Sequence, residues 1–304
     1  MIENLSGVII VDKEEGFTSH DVVARVRRLF KTKKVGHTGT LDPMATGVLP
    51  VLVGNAVKAS SFLVSDNKTY TAHLILGIET DTQDVGGKVL ERRDVNVSDE
   101  DFYECVKSFI GESEQIPPMY SALKVGGRKL CDLAREGIVV EREARKIFID
   151  KIEVENKISE YEWEISVSCS KGTYIRTLIS DIGEKLGCKA TMSALRRTVS
   201  GNFRLEDAKT LGEIETAIEN GEEESLFIKT ESLFDTLEKI CLPDFYYRLA
   251  ANGQPIYSSR AKIPLPDIST KVRLADKNGN FFALGEVVEI DNEKCAKVIK
   301  LFPQ

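Results

Sequence analysis

The residues best suited to chemistry lie in the run Gly36-His37-Thr38-Gly39-Thr40-Leu41-Asp42-Pro43-Met44-Ala45-Thr46-Gly47. Three glycines and a proline interrupt the regular patterning on either side, and Asp42 is its lone carboxylate. A glycine-rich loop can cradle phosphate, but this one has neither the Gly-Lys-Ser/Thr ending of a P-loop nor the spacing of a dinucleotide fingerprint. Taken alone, the local pattern favours an Asx-Pro turn in which Asp42 bonds its own backbone. As a nucleophile, an aspartate with an ordinary pKa of about 3.9 is already ionised at neutral pH and needs orientation more than activation. Arg176 falls in the first turn of a predicted helix, where a cation opposes the helix dipole, so an anionic neighbour would explain its placement. Tyr70 sits at the core-facing phase of a predicted strand, where plain packing is the ordinary role.

Other chemistries find little support. The cysteines (Cys105, Cys131, Cys169, Cys188, Cys241, Cys295) form no Cys-x-x-Cys pair, which suggests neither a zinc knuckle nor a disulfide framework. His20, His37 and His73 have no second histidine or cysteine at ligand spacing, so no metal or other cofactor is expected. A Ser-His-Asp hydrolase would need a Gly-x-Ser-x-Gly elbow, and there is none. No apolar run reaches the length of a membrane span and no signal-peptide pattern opens the chain, so a cytoplasmic protein is expected.

The elements that must position these residues follow from periodicity. Gly7–Val11 reads as a strand, followed by a helix opened by Ser19 with Val22, Val23, Val26, Leu29 and Phe30 on one face. Val48–Val53 is an apolar run of strand length, and residues 68–77 alternate Tyr70, Ala72, Leu74 and Leu76 against a more polar set. Ser98 and Asp101 open a helix carrying Phe102, Cys105, Val106 and Phe109. From Pro117 to about Lys146 the periodicity weakens and cations accumulate, which predicts an arm leaving the core. Trp163, Ile165, Val167 and Cys169 mark a strand; Ile175, Leu178, Ile179, Ile182 and Leu186 mark the next helix, with Gly187 at its end. Thr210 and Glu213 cap a short helix. From about Leu242, short apolar runs with Asn252-Gly253 and Asn278-Gly279 turn signals predict a separate compact β-barrel.

At 304 residues the chain is long enough for two domains, and its net charge of −7 is unevenly placed. Between Glu206 and Lys239, 11 acids face 3 lysines, so the remainder sums to about +1. Basic residues cluster at Arg25–Lys34, at Lys124–Lys146 and at Arg196-Arg197, a distribution compatible with a nucleic-acid partner despite the acidic total. The acidic stretch itself reads as a boundary before the last segment.

The run from Gly36 through Val48-Leu49-Pro50 resembles the signature of the TruB family of pseudouridine synthases nearly residue for residue. The resemblance continues in the same order at Lys68-Thr69-Tyr70, Thr80-Asp81-Thr82-Gln83-Asp84, Pro117-Pro118-Met119-Tyr120-Ser121-Ala122-Leu123-Lys124, Gly172-Thr173-Tyr174-Ile175-Arg176 and Leu195-Arg196-Arg197. Two departures stand out: Asp12-Lys13-Glu14 where the family usually has Lys-Pro, and Cys131 where an aromatic residue is common. The resemblance implies an α/β (α+β) pseudouridine synthase fold around a mixed, largely antiparallel sheet, with a small C-terminal PUA-like β-barrel. Residues 1–240 would form the catalytic domain, with an RNA-binding arm at about 117–146, and residues 241–304 the PUA-like RNA-binding domain.

The same resemblance implies isomerisation of a T-loop uridine at tRNA position 55 to pseudouridine after base flipping, by an enzyme working as a monomer. It makes Asp42 the nucleophile, at C1′ of the ribose or C6 of the base, and supplies Asp42 as the anion for Arg176. Tyr70 would stack on the base and handle a proton, His37 would stack where a base was, and Leu195 would pack near the bound base. Lys13, Thr40, Tyr174, Arg196, Arg197, Lys124 and Arg128 are the further candidate RNA contacts. A non-catalytic RNA chaperone would not need Asp42, Tyr70 and Arg176 together, and an RNA-guided synthase would not be expected to carry the arm.

Overall fold

The computed structural model describes residues 5–63 and 67–302. In chain order the first part contains β1 (Gly7–Lys13), β2 (Val35–His37), β3 (Thr46–Val53), β4 (Lys68–Leu76), β5 (Ile78–Thr80), β6 (Val89–Arg92), β7 (Gly111–Gln115), β8 (Lys124–Val125), β9 (Arg128–Lys129), β10 (Arg145–Lys157), β11 (Glu162–Cys169), β12 (Ala190–Ser200) and β13 (Phe203–Arg204). Its helices are α1 (Ser19–Leu29), α2 (Ser60–Leu63), α3 (Asp99–Lys107), α4 (Leu130–Arg135), α5 (Ile175–Lys185) and α6 (Leu211–Glu219). A nine-stranded sheet runs β1-β3-β12-β4-β11-β10-β7, with β2 on β3 and β13 on β12. Every pairing in it is antiparallel except β3 with β12, which meet at Arg196 opposite Thr46 and Arg197 opposite Gly47.

The alternation along β4 does what its period requires: Tyr70, Ala72, Leu74 and Leu76 are buried while their neighbours are partly open. Helices α1, α3 and α5 lay Val22, Val23 and Val26, then Phe102 and Val106, then Leu178, Ile179 and Ile182 into one core against that sheet. Stacking of Phe102 on Trp163, with ring centres 4.2 Å apart, fixes α3 to β11.

Helix α1 begins differently from expectation. Its cap is Thr18, locked in a capping box with Asp21, and Ser19 is buried with its hydroxyl bonded to the backbone of Leu41. Ser19 is thereby used to hold the Asp42 loop. The acidic stretch also departs from a plain boundary. Ile228 exchanges two backbone hydrogen bonds with Val8, at 2.9 and 2.8 Å, and Phe227 packs edge-on against Phe30, so the segment covers the open edge of β1.

The last segment comprises β14 (Lys239–Cys241), α7 (Asp244–Ala251), β15 (Ile256–Tyr257), α8 (Ser258–Ala261), β16 (Lys271–Ala275), β17 (Phe281–Ile290) and β18 (Glu293–Leu301). Five strands form a curled sheet, a half-barrel in the order β14-β16-β17-β18-β15. Asn252-Gly253 ends α7 rather than turning a hairpin; the β17–β18 hairpin turns at Asp291 and Asn292, both left-handed. The segment is not separate in its packing. Phe281, Leu284 and Phe302 share a buried cluster with Val8, Ile10, Val48, Leu52 and Phe234.

Candidate active site

The Asp42 loop is held at several points, two of them by the buried side chains of Ser19 and Lys13. Ser19 clamps Leu41, the Gly16 N–H donates to Pro43 O at 2.9 Å, and the Lys13 ammonium donates to Glu14 O, Phe17 O and Pro43 O. Lys13 is 0% exposed, and burial pushes its pKa down to about 8. That geometry corrects the expectation of an RNA contact: the ammonium is taken up by three carbonyls and has no open path to a phosphate.

Arg197 is likewise fully buried, which removes it as a surface phosphate contact while leaving it in the wall of the site. Its Nε donates to Val48 O at 2.7 Å and an η nitrogen to Gly39 O at 3.1 Å. Across the β4–β12 pairing it lies opposite Tyr70, so both side chains share a face of the sheet. Burial raises the Tyr70 pKa, and the Arg197 cation beside it opposes that rise. The close approach of β3 to β12 that puts Arg197 there depends on Gly47, where an added Cβ would lie 2.2 Å from Arg197 O.

Helix α5 starts at Ile175 without a side-chain cap, and its first turn carries Arg176, 4% exposed. Nε meets Asp42 Oδ2 at 2.9 Å, while one η nitrogen donates to Thr82 O at 2.8 Å and lies 3.4 Å from Asp84 Oδ2. The other η nitrogen donates to Tyr120 O at 2.8 Å. The guanidinium is therefore fixed by four groups from three loops. Burial raises the Asp42 pKa, Arg176 opposes that rise, and Asp84 adds to it. About a third of the Asp42 side chain stays open, the 35% that faces the cavity mouth. Asp84 closes the Thr80-Asp81-Thr82-Gln83-Asp84 motif, but its sequence neighbours do not mark it as a site residue. Nothing in the local sequence pairs it with Arg176, 92 positions away; only folding does.

A cavity of about 340 Å³ opens above this pair, and Asp42, Tyr70, Tyr174, Arg176, Leu195 and Arg197 line it, with Thr40 at its exposed edge. His37 lies on β2 outside the lining, half-buried, its pKa lowered by burial and by the nearby Arg197 and His20. Arg196 is elsewhere engaged, with Asp12 at 2.7 Å and Thr46 Oγ1 at 3.1 Å, although 40% of its side chain remains open. Lys124 and Arg128 are exposed on the two-stranded β8–β9 hairpin of the arm, Arg128 in an ion pair with Glu136. In the α1 cluster, Arg25 pairs with Glu215 and Arg27 with Val35 O.

A carboxylate held open by a fixed guanidinium, beneath a cavity with a buried tyrosine wall, fits nucleophilic attack on a base or sugar taken out of its stack. Sequence comparison decides the lineage. Residues 27–175 match the model of the TruB family pseudouridylate synthase N-terminal domain, and residues 176–243 that of the tRNA pseudouridylate synthase B C-terminal domain. The chain belongs to the TruB family. Members of that family isomerise uridine to pseudouridine, and this chain is a pseudouridine synthase.

The tRNA pseudouridine synthase B of Alkaliphilus oremlandii is 47% identical over 84% of this chain and 84% of its own. That of Clostridium perfringens is 43% identical over 98% of this chain and 99% of its own. Among solved structures, a Cbf5-Nop10-Gar1 complex matches with TM-score 0.73 and 28% identity, over 98% of this chain and 85% of that one. A substrate-bound H/ACA RNP matches with TM-score 0.72 and 26% identity over the same shares. The pseudouridine synthase fold expected from the sequence is the one found, a mixed sheet with a curled half-barrel at the C-terminal end.

Proposed function

We propose that this TruB family member converts the T-loop uridine at position 55 of tRNA to pseudouridine, with Asp42 as the nucleophile. The Asp42–Arg176 ion pair at the base of the cavity carries the reading: it supplies an oriented carboxylate where a flipped uridine would sit. The reaction breaks the C1′–N1 bond, forms C1′–C5, moves a proton off C5 and leaves one on N1. Asp42 attacks C1′ or C6 in this scheme, and the buried Tyr70 stacks on the base and handles a proton. Thr40, Tyr174, Leu195 and His37 contact the displaced loop. The exposed Lys124, Arg128 and the open part of Arg196 meet phosphates. Residues 1–240 act as the catalytic domain, the segment at 117–146 as an arm closing over the T stem-loop, and residues 241–304 as a PUA-like RNA-binding unit. The enzyme works as a cytoplasmic monomer without a cofactor. Among the described residues no helix is long and apolar enough to cross a membrane.

The test is conversion in an unmodified tRNA transcript, mapped chemically, for wild type and Asp42→Asn. The expected result is one modified T-loop uridine with wild type and none with the variant, which should still bind tRNA. Equal conversion by both proteins would remove Asp42 from the chemistry. Tight binding by a wild type that converts nothing would favour an RNA chaperone.

A further inference from the structure

We infer that Gln115 is a positioning residue for catalysis, fixing the backbone from which Arg176 reaches Asp42. The inference rests on the reading of Asp42 and Arg176 as the reacting pair. Gln115 is the last residue of β7, at the base of the arm, and is 3% exposed. Its carboxamide makes two bonds to one residue: Nε2 donates to Tyr174 O at 3.1 Å, and Oε1 accepts from Tyr174 N–H at 2.8 Å. Tyr174 is the residue before α5, whose first turn has no side-chain cap, so this clasp takes the place of a cap in setting how the helix starts. Arg176 follows two residues later.

The stretch leaving Gln115 returns to the same place. Tyr120 O, five residues on, accepts from the Arg176 guanidinium at 2.8 Å. Arg142, on the far side of the arm, donates to Pro117 O at 3.2 Å and ties the two ends of the arm together. The arm base thus grips the Arg176 backbone through Gln115 and the Arg176 side chain through Tyr120. A buried carboxamide whose nitrogen and oxygen both pair with the backbone of one residue, across its two flanking peptide units, has a narrow structural purpose. It couples the seating of the arm to the direction in which Arg176 points. The charged groups around Tyr174 are Asp42, Arg145 and Arg176, with Arg145 opposite Gln115 across the β7–β10 pairing.

The test uses the full chain and an unmodified tRNA transcript, with single-turnover rate, Kd and thermal midpoint measured for wild type, Gln115→Met and Gln115→Glu. Gln115→Met should slow the single-turnover rate at least about tenfold while Kd stays within about twofold. Amide exchange at Tyr174 should speed up in that variant with the interior of α5 still protected. Gln115→Glu gives a signature that a general packing role would not: its neutral acid can both donate and accept, whereas its carboxylate can only accept. Its rate relative to wild type should therefore climb as pH falls, and this ratio is read within one folded protein even if Gln115→Met fails to fold. A flat ratio with near-wild-type rates, or a loss confined to Kd, would overturn the inference. Wild type and Asp42→Asn in the same assay keep the two readings apart. If wild type converts uridine and Asp42→Asn does not, the catalytic reading stands whatever Gln115 does.

Discussion

A nucleophilic carboxylate faces two opposed demands, because it must be sheltered enough to meet a desolvated base yet stay ionised. Burial raises the pKa of Asp42, and Asp84 raises it further; the Arg176 cation is the main force in the other direction. In Arg176→Met the opposing cation is gone, so the Asp42 pKa rises further and the acid limb of the pH–rate profile moves to higher pH. Activity is lost as pH falls through the Asp42 pKa, so the variant should lose rate at a pH where wild type is still active. Discounted for the open third of Asp42, the lost pair is worth about 1–3 kcal/mol, or roughly fivefold to 150-fold in rate on the plateau. Single-turnover rates across pH check this, and an unmoved acid limb would contradict it. At this scale the sequence shows the reacting residue types but not which cations are spent inside. Lys13 and Arg197 read as RNA contacts because nothing in their local sequence reveals the carbonyls of Pro43, Phe17, Val48 and Gly39 that surround them.

At the scale of elements, the site depends on β12 running through the middle of the sheet beside both β3 and β4. Its contact with β3 is short and rests on Gly47, whose φ of +99° and lack of a Cβ allow Arg197 O to approach. Gly47→Ala should cost about 3 kcal/mol or more, from left-handed strain together with a forced shift of backbone. Gly212→Ala, in α6 with open space around it, should be neutral or stabilising by up to about 1 kcal/mol. Urea midpoints for the two variants check the contrast; similar midpoints would deny β3 and β12 their close fit. Strand β12 is also the element least legible in the sequence. Register shifts between Met192 and Ala194 and between Arg197 and Val199 break its alternation, so a period of two survives only over the short stretch from Ala194 to Thr198. By contrast β4, β11, α3, α5 and α6 keep an unbroken period or a complete cap, and are legible for that reason.

Across the whole molecule, charge and packing are divided between the two edges of the large sheet. The acidic segment closes the β1 edge through Ile228, whereas the arm with its exposed Lys124 and Arg128 leaves from the β7 edge, at the far end of the strand order. A net charge of −7 is therefore compatible with binding a polyanion, since much of the excess acid is kept at the end away from the arm. The β1 edge is also where the C-terminal sheet is attached: Phe234 from the acidic segment contacts Phe281 and Phe302, and all three pack with Val8, Val48 and Leu52. The turn signals suggested an independent barrel because they report strand ends and say nothing of which faces are shared. A core common to both parts should make them melt together. Phe302→Ala removes a buried ring from that core and should lower stability by about 3–5 kcal/mol. Calorimetry of wild type should give one transition, and the variant one transition at lower temperature. Two resolved wild-type transitions, with only the smaller shifted by Phe302→Ala, would mean that the C-terminal sheet unfolds on its own and that the aromatic cluster does not couple it to the catalytic sheet.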